Sequence, residues 1–212
     1  EFFREGFEQI DPPSLLLTNS ARELGFDNLS SLTTDDERAA AQVIEYLAGQ
    51  GHRRIGVLGG NWSCSQSQIS YRRIQGCRAA FTRLGLPLDE GQCEPCRYSM
   101  AEGYAAAQRL LDRNPDLTAI FAMSDVMAMG AVRALCDRGK QVPRDISVVG
   151  FDGVPIARYT VPRLTTIRQD TRSMAERGVE MLLRSMEHGG KTLHDVIPFQ
   201  LLLGESVARL EG

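Results

Sequence analysis

The amino-acid sequence predicts an α/β protein built on parallel sheets, and three observations carry that expectation. Strand-like and helix-like segments alternate along most of the chain, an order that requires helices crossing over a parallel sheet. The strand-like segments, such as "RIGVLGG" and "ISVVGF", are almost continuously apolar, as suits strands covered on both faces. With 212 residues, 42% of them hydrophobic and 24% charged, the chain is long enough to bury two modest cores.

The elements follow in order. "SLLLT" (14–18) is a strand, and "DDERAAAQVIEYLAGQG" is a helix capped by Asp35, with Ala40, Val43, Ile44 and Leu47 on one face and Gly51 as its stop. "RIGVLGG" (54–60) is a strand, from which a loop rich in Ser and Gln leads to the helix "YRRIQGCRAAFTRLG". A strand is expected near 92–98, then a helix from Ser99 towards Arg113, the strand "TAIFAM" and the helix "DVMAMGAVRALCDRG". "ISVVGF" and "LTTIRQ" are strands, "TRSMAERGVEMLLRSME" is a helix, and "VIPFQLLLGESV" closes the chain. There is no internal repeat and no low-complexity segment.

Composition and motif spacing exclude several function classes. No run approaches the roughly 18 apolar residues that span a bilayer, and "EFFREGFEQI" lacks the basic-then-apolar pattern of a secretion signal. Five cysteines, an odd number at irregular spacing, fit a reducing compartment, so a cytoplasmic protein is expected. A net charge of −3 and a pI near 5.7 argue against a direct grip on nucleic acid, and the basic spots "GHRRIG" and "SYRRIQGCR" read as solvated element ends. Cys93 and Cys96 in "CEPC" have redox spacing but fall in an expected strand, not at a helix start where a thiolate is stabilised. His52, His188 and His194 show no metal-ligand spacing, "LGGNWS" lacks a nucleotide-binding glycine register, and no catalytic triad can be picked out. The expectation is therefore a protein that is not an enzyme and needs neither metal nor cofactor.

The polar residues fall in a pattern. In open α/β sheets a ligand binds outside the carboxyl ends of the strands, and parallel strands bring those ends together. Here "VLGG" runs into Asn61-Trp62-Ser63, "IFAM" into Ser124-Asp125, and "VVGF" into Asp152. Carboxylates, hydroxyls and an aromatic ring at one rim suit a neutral polyhydroxylated ligand, because carboxylates accept from hydroxyls while a ring covers the C–H face. Trp62 is expected at the mouth of that crevice. Each residue also has a plainer reading: Asp35 and Asp125 stand at helix starts where capping accounts for them, and "FDGV" fits a turn fixed by Asp152.

The run "TAIFAMSDVMAMGAVRALCDRGKQVPRDISVVGFDGVPIARYTVPRLTTIRQD" with "MAERGVEMLL", together with "TTDDERAAAQVIEYLAGQGHRRIGVLGG", resembles the effector-binding core of the LacI/GalR family of bacterial transcription regulators. The resemblance extends from about Leu15 to about Ser206. It implies a periplasmic-binding-protein-like fold of two parallel-sheet lobes joined by crossover strands, with a sugar or sugar-like effector between them. The first lobe, expected at 1–51 and 169–192, is incomplete in this chain, the second is expected at 52–168 and 193–212, and the DNA-binding head is absent. Carried over residue by residue, the resemblance implies that Asp35, Arg73, Tyr98, Asp125, Asp152 and Gln169 face the effector. Arg73 matches the arginine of the family's "RxxG", here "RIQG", and Ser124 replaces the asparagine that many members place before Asp125.

It implies a homodimer as well. On the helix 125–137, Met129, Val132, Leu135 and Cys136 cover one side while Val126 and Met127 lie well around it, more apolar surface than one sheet face covers. Met129 and Tyr159 are the expected interface residues, and operator DNA would be reached only through the missing head. The alternative within the same fold is a periplasmic sugar-binding protein serving a transporter, against which stand the five cysteines and "YTVPRLTTIRQD".

Overall fold

The structure, a computed structural model, describes residues 6, 10, 12–60, 68–87 and 89–210. In chain order the elements are β1 (Leu15–Leu17), α1 (Ala21–Leu24), β2 (Ser30–Thr34), α2 (Asp36–Gly49), β3 (Ile55–Leu58), α3 (Gln68–Arg83), β4 (Cys93–Glu94) and α4 (Met100–Arg113). They continue with β5 (Ala119–Ala122), α5 (Asp125–Asp137), β6 (Ser147–Asp152), β7 (Thr165–Gln169), α6 (Thr171–Glu187), β8 (His194–Ile197) and β9 (Phe199–Leu202). Two compact units result, Glu1–Asp35 with Gln169–Phe199 and Asp36–Arg168 with Gln200–Gly212. The chain therefore changes unit at 35/36, 168/169 and 199/200.

The first unit holds a three-stranded sheet in the order β1-β2-β8, with both pairings parallel. Leu32 of the central strand packs with Met174 and Met181 of α6 and with Ile197. A second small cluster joins Ala21, Phe26 and Leu29. The second unit carries a six-stranded sheet in the order β4-β3-β5-β6-β7-β9, in which β4-β3, β3-β5, β5-β6 and β6-β7 are parallel. Strands β3 and β5 are wholly buried, and Ile55, Leu58, Ile120, Phe121 and Phe151 are among the largest fully buried side chains. Parallel pairing places the carboxyl ends of β3, β5 and β6 along one edge of this sheet, which is where the candidate site lies.

Three expectations needed correction. The helix expected to close the first lobe belongs to the second unit, because α2 buries Ala39, Ala40, Val43, Ile44 and Leu47 and packs on α3. Residues 194–197, expected in the second lobe, hydrogen-bond to β2 in the first unit. The strand expected over 92–98 is only Cys93–Glu94, paired with Val57 and Leu58, since Pro95 follows and offers no N–H to extend the ladder.

Strand β2 went unforeseen because its sequence, "SSLTT", is polar although all five residues are buried. Three of its four hydroxyls are bonded to other segments of the first unit. Ser30 accepts from the Leu193 amide at 3.1 Å, Ser31 shares a hydrogen bond with His194 Nδ1 at 2.8 Å, and Thr34 donates to Gln169 Oε1 at 3.2 Å.

Candidate functional site

The centre of the site is Arg73, and a glycine one turn further along α3 explains its position. A Cβ on Gly76 would lie 2.0 Å from the Glu37 carbonyl oxygen, so only glycine lets α3 press its backbone onto the first turn of α2. Arg73, three residues earlier on the same face, then meets Asp36. Its Nε donates to Asp36 Oδ1 at 2.8 Å, with both side chains only 4% exposed. Nη1 donates to the Met123 carbonyl just beyond β5, and the guanidinium carbon lies 3.6 Å above the centroid of the Phe151 ring on β6. Nη2 is 3.9 Å from Asp152 Oδ1. Removing one partner of such a buried pair costs about 3–5 kcal/mol, and a desolvated cation–ring contact adds about 2 kcal/mol, so Arg73 is held firmly before any ligand arrives.

Asp152 ends β6 with a φ of 115°, in the left-handed half of backbone space that side chains other than glycine rarely enter. Holding it there costs on the order of 1–3 kcal/mol. Its side chain is 32% exposed, the most accessible of the carboxylates around Arg73. Tyr98 completes the rim: its hydroxyl shares a 2.9 Å hydrogen bond with Ser70 Oγ, which reaches the Gly59 carbonyl beyond β3 at 3.3 Å. The residue stays 43% exposed. Burial of the hydroxyl end pushes its phenol pKa up, and Arg73, Asp152 and Asp36 are close enough to act on it electrostatically. A partly exposed carboxylate, a fixed guanidinium and an accessible ring thus stand together, a set able to bond hydroxyls and cover an apolar sugar face.

The other expected residues fall as follows. Asp35 is exposed in the first unit just before α2, and the carboxylate that meets Arg73 is its neighbour Asp36. Gln169 ends β7 in the first unit, where it accepts from Thr34. Ser124 is 1% exposed and caps α5 by accepting from the Met127 amide at 3.2 Å. Asp125 has no exposed surface. Its Oδ1 accepts from Thr166 Oγ1 at 2.5 Å and its Oδ2 from the Val154 amide at 2.7 Å. Ser124 and Asp125, both expected to face the effector, are thus bonded within the protein. Trp62 lies outside the described residues. Met129 is half-buried on α5, and Tyr159 is 82% exposed.

Sequence reasoning missed Asp36, Ser70 and Thr166. The "DD" doublet held the first, and the spacing of Ser70 one turn before Arg73 was the only sign of the second. Thr166 is non-local to Asp125 and left no sign at all. Among the described residues, no three His, Cys, Asp or Glu side chains converge where a metal ion could sit. Cys93 Sγ is buried against the Gly60 carbonyl at 2.9 Å, and burial pushes the Cys96 thiol up to about 11, away from reactive thiolate character. His52 is likewise structural, bonded to Thr118 Oγ1 at 3.0 Å and the Ala208 carbonyl at 3.1 Å.

Residues 44–207 match the family model of the periplasmic binding protein-like domain, which defines the class of this protein. Its sequence is 32% identical over 207 residues to the HTH-type transcriptional regulator MalR of Clostridium butyricum, covering 97% of this chain and 61% of that protein. The chain thus spans less than two thirds of that relative's length. A solved structure assigned as a LacI-family transcriptional regulator, from Sanguibacter keddieii, superposes with a TM-score of 0.85 at 32% identity, covering 94% of this chain and 73% of that one. A LacI-family regulator from Enterococcus faecium with bound ribose gives a TM-score of 0.82 at 26% identity, covering 94% and 72%. The chain belongs to the LacI family, within the periplasmic-binding-protein-like domains.

Proposed function

We propose that the chain is the effector-sensing part of a bacterial transcriptional regulator, with no enzymatic role, and that it binds a sugar or sugar-like effector. Arg73, Tyr98 and Asp152 are its principal contacts, and Asp35 and Gln169 are further contacts. The observation that carries this reading is the buried, multiply held Arg73 placed 3.9 Å from the partly exposed carboxylate of Asp152, beside the accessible ring of Tyr98. Such a pair offers a donor fork and an anionic acceptor to vicinal hydroxyls. The full-length protein acts as a homodimer in which Met129 and Tyr159 contribute to the interface, and it reaches operator DNA through a separate head. Effector binding shifts the population of its DNA-binding state, since a ligand moves an equilibrium only through unequal affinity for two states.

Titration calorimetry with D-ribose, cellobiose and a panel of sugar acids tests the proposal. Asp152→Asn keeps the side chain's shape and tolerates the positive φ, so the melting temperature should hold. Effector affinity should fall about tenfold, because hydrogen bonds to a charged acceptor exceed neutral ones by about 1–1.5 kcal/mol. A variant that melts lower and binds as before would make Asp152 a turn-fixing residue and overturn its assignment.

A further inference from the structure

We propose that Asp125 is a positioning residue: it holds Asp152 where Asp152 can meet Arg73 and an effector, and does not itself touch the effector. The second half of that statement rests on the effector reading given above; the first stands on geometry alone. Three segments converge on the Asp125 carboxyl. It starts α5, it accepts from Thr166 Oγ1 on β7, and it accepts from the Val154 amide beyond β6. Gly150 and Thr166 are register partners in the β6–β7 ladder. A Cβ on Gly150 would lie 2.3 Å from Asp125 Oδ1, so the carboxyl occupies the slot that this glycine leaves empty.

Asp125 therefore brackets Asp152 two residues before and two residues after, across the stretch where φ reaches 115° at Asp152. Capping does not account for it, because Ser124 already accepts from the Met127 amide. Direct ligation does not account for it either, because both oxygens are bonded inside the protein and the residue has no exposed surface. What remains is control of the turn that presents Asp152.

The test compares Asp125→Ala, Asp125→Asn and Thr166→Val with wild type, using amide hydrogen exchange read by NMR and calorimetry with D-ribose and cellobiose. In Asp125→Ala the Val154 amide should exchange at least about tenfold faster, while the Phe121 amide in β5 keeps its protection, since the loss is local. Asp125→Asn should restore Val154 protection to within about threefold, because an amide oxygen can accept from Val154 while its NH2 faces Thr166 Oγ1. Thr166→Val removes one of the two bonds and should lie between, which keeps the question answerable if Asp125→Ala does not fold. Affinity losses from Asp125→Ala and Asp152→Asn should not multiply, and the double variant should bind within about twofold of the weaker single one. Unchanged Val154 exchange in folded Asp125→Ala and Thr166→Val, or losses that multiply, would overturn the proposal. If wild type binds neither sugar, the exchange comparison still decides whether Asp125 holds the turn, and it is the sugar reading that fails.

Discussion

Burial removes water from the Asp125 carboxylate and raises its pKa to about 6; the bonds from Thr166 and Val154 oppose that rise only in part, and the nearby charge of Asp152 adds to it. The folded state therefore binds this proton more tightly than the unfolded chain does. Stability from the group is complete below its ordinary pKa of 3.8 and is lost as pH rises through about 6. Asp125→Asn removes the titration. Relative to wild type, the Asn variant should gain on the order of 2 kcal/mol between pH 4 and pH 7, at about 1.4 kcal/mol per pKa unit, and urea denaturation at pH 4, 5, 6 and 7 measures it. A constant difference across that range would mean that the carboxylate is well solvated by its hydrogen bonds. From sequence, Asp125 offered two roles: cap, from its place at a helix start, and ligand, from its place beyond the strand "IFAM" and from the family resemblance. The role visible in the structure needs Thr166 and Val154, 41 and 29 residues away.

At the scale of elements, the packing of α3 on α2 decides where Arg73 goes. Gly76→Ala sets two effects against each other. Alanine favours an isolated helix by about 1 kcal/mol over glycine, whereas overpacking a close contact costs about 1–3 kcal/mol. The contact here is backbone, the Glu37 carbonyl oxygen at 2.0 Å, which has no rotamer to swing away. Overpacking should win, and urea denaturation should show Gly76→Ala less stable than wild type by about 2 kcal/mol. A stabilised variant would mean that the two helices are free to separate. The motif "RIQG" was legible as a unit, but the reason for its glycine was not. That reason lies in a backbone atom of another helix.

At the scale of the whole molecule, partly uncovered apolar surface bears on assembly. Val126, Met129 and Val132 are half-buried along α5 and Cys136 is exposed, a stripe that the sheet leaves partly uncovered. Ile156 (54%), Tyr159 (82%) and Val161 (92%) add large exposed apolar side chains following β6. Sedimentation at tens of micromolar should show a dimer, and Tyr159→Asp should shift it towards monomer by placing a charge in a desolvated contact. A wild-type monomer under those conditions would remove Met129 and Tyr159 from the interface.

What the sequence determined by itself is local in origin. Apolar runs and helical periodicity defined the parallel α/β class, the limits of α6 at 171 and 187, and the alternation of helix with strand, because each depends on residues within a turn or two. Tertiary structure alone decided which aspartate of the "DD" doublet meets Arg73, what Asp125 does, and to which unit α2 and β8 belong. A step of one residue swings a helical side chain through about 100°, so choosing between Asp35 and Asp36 requires knowing the surface on which the helix lands. That surface is assembled from strands and helices far apart in the chain, and its register is written in no single stretch of it.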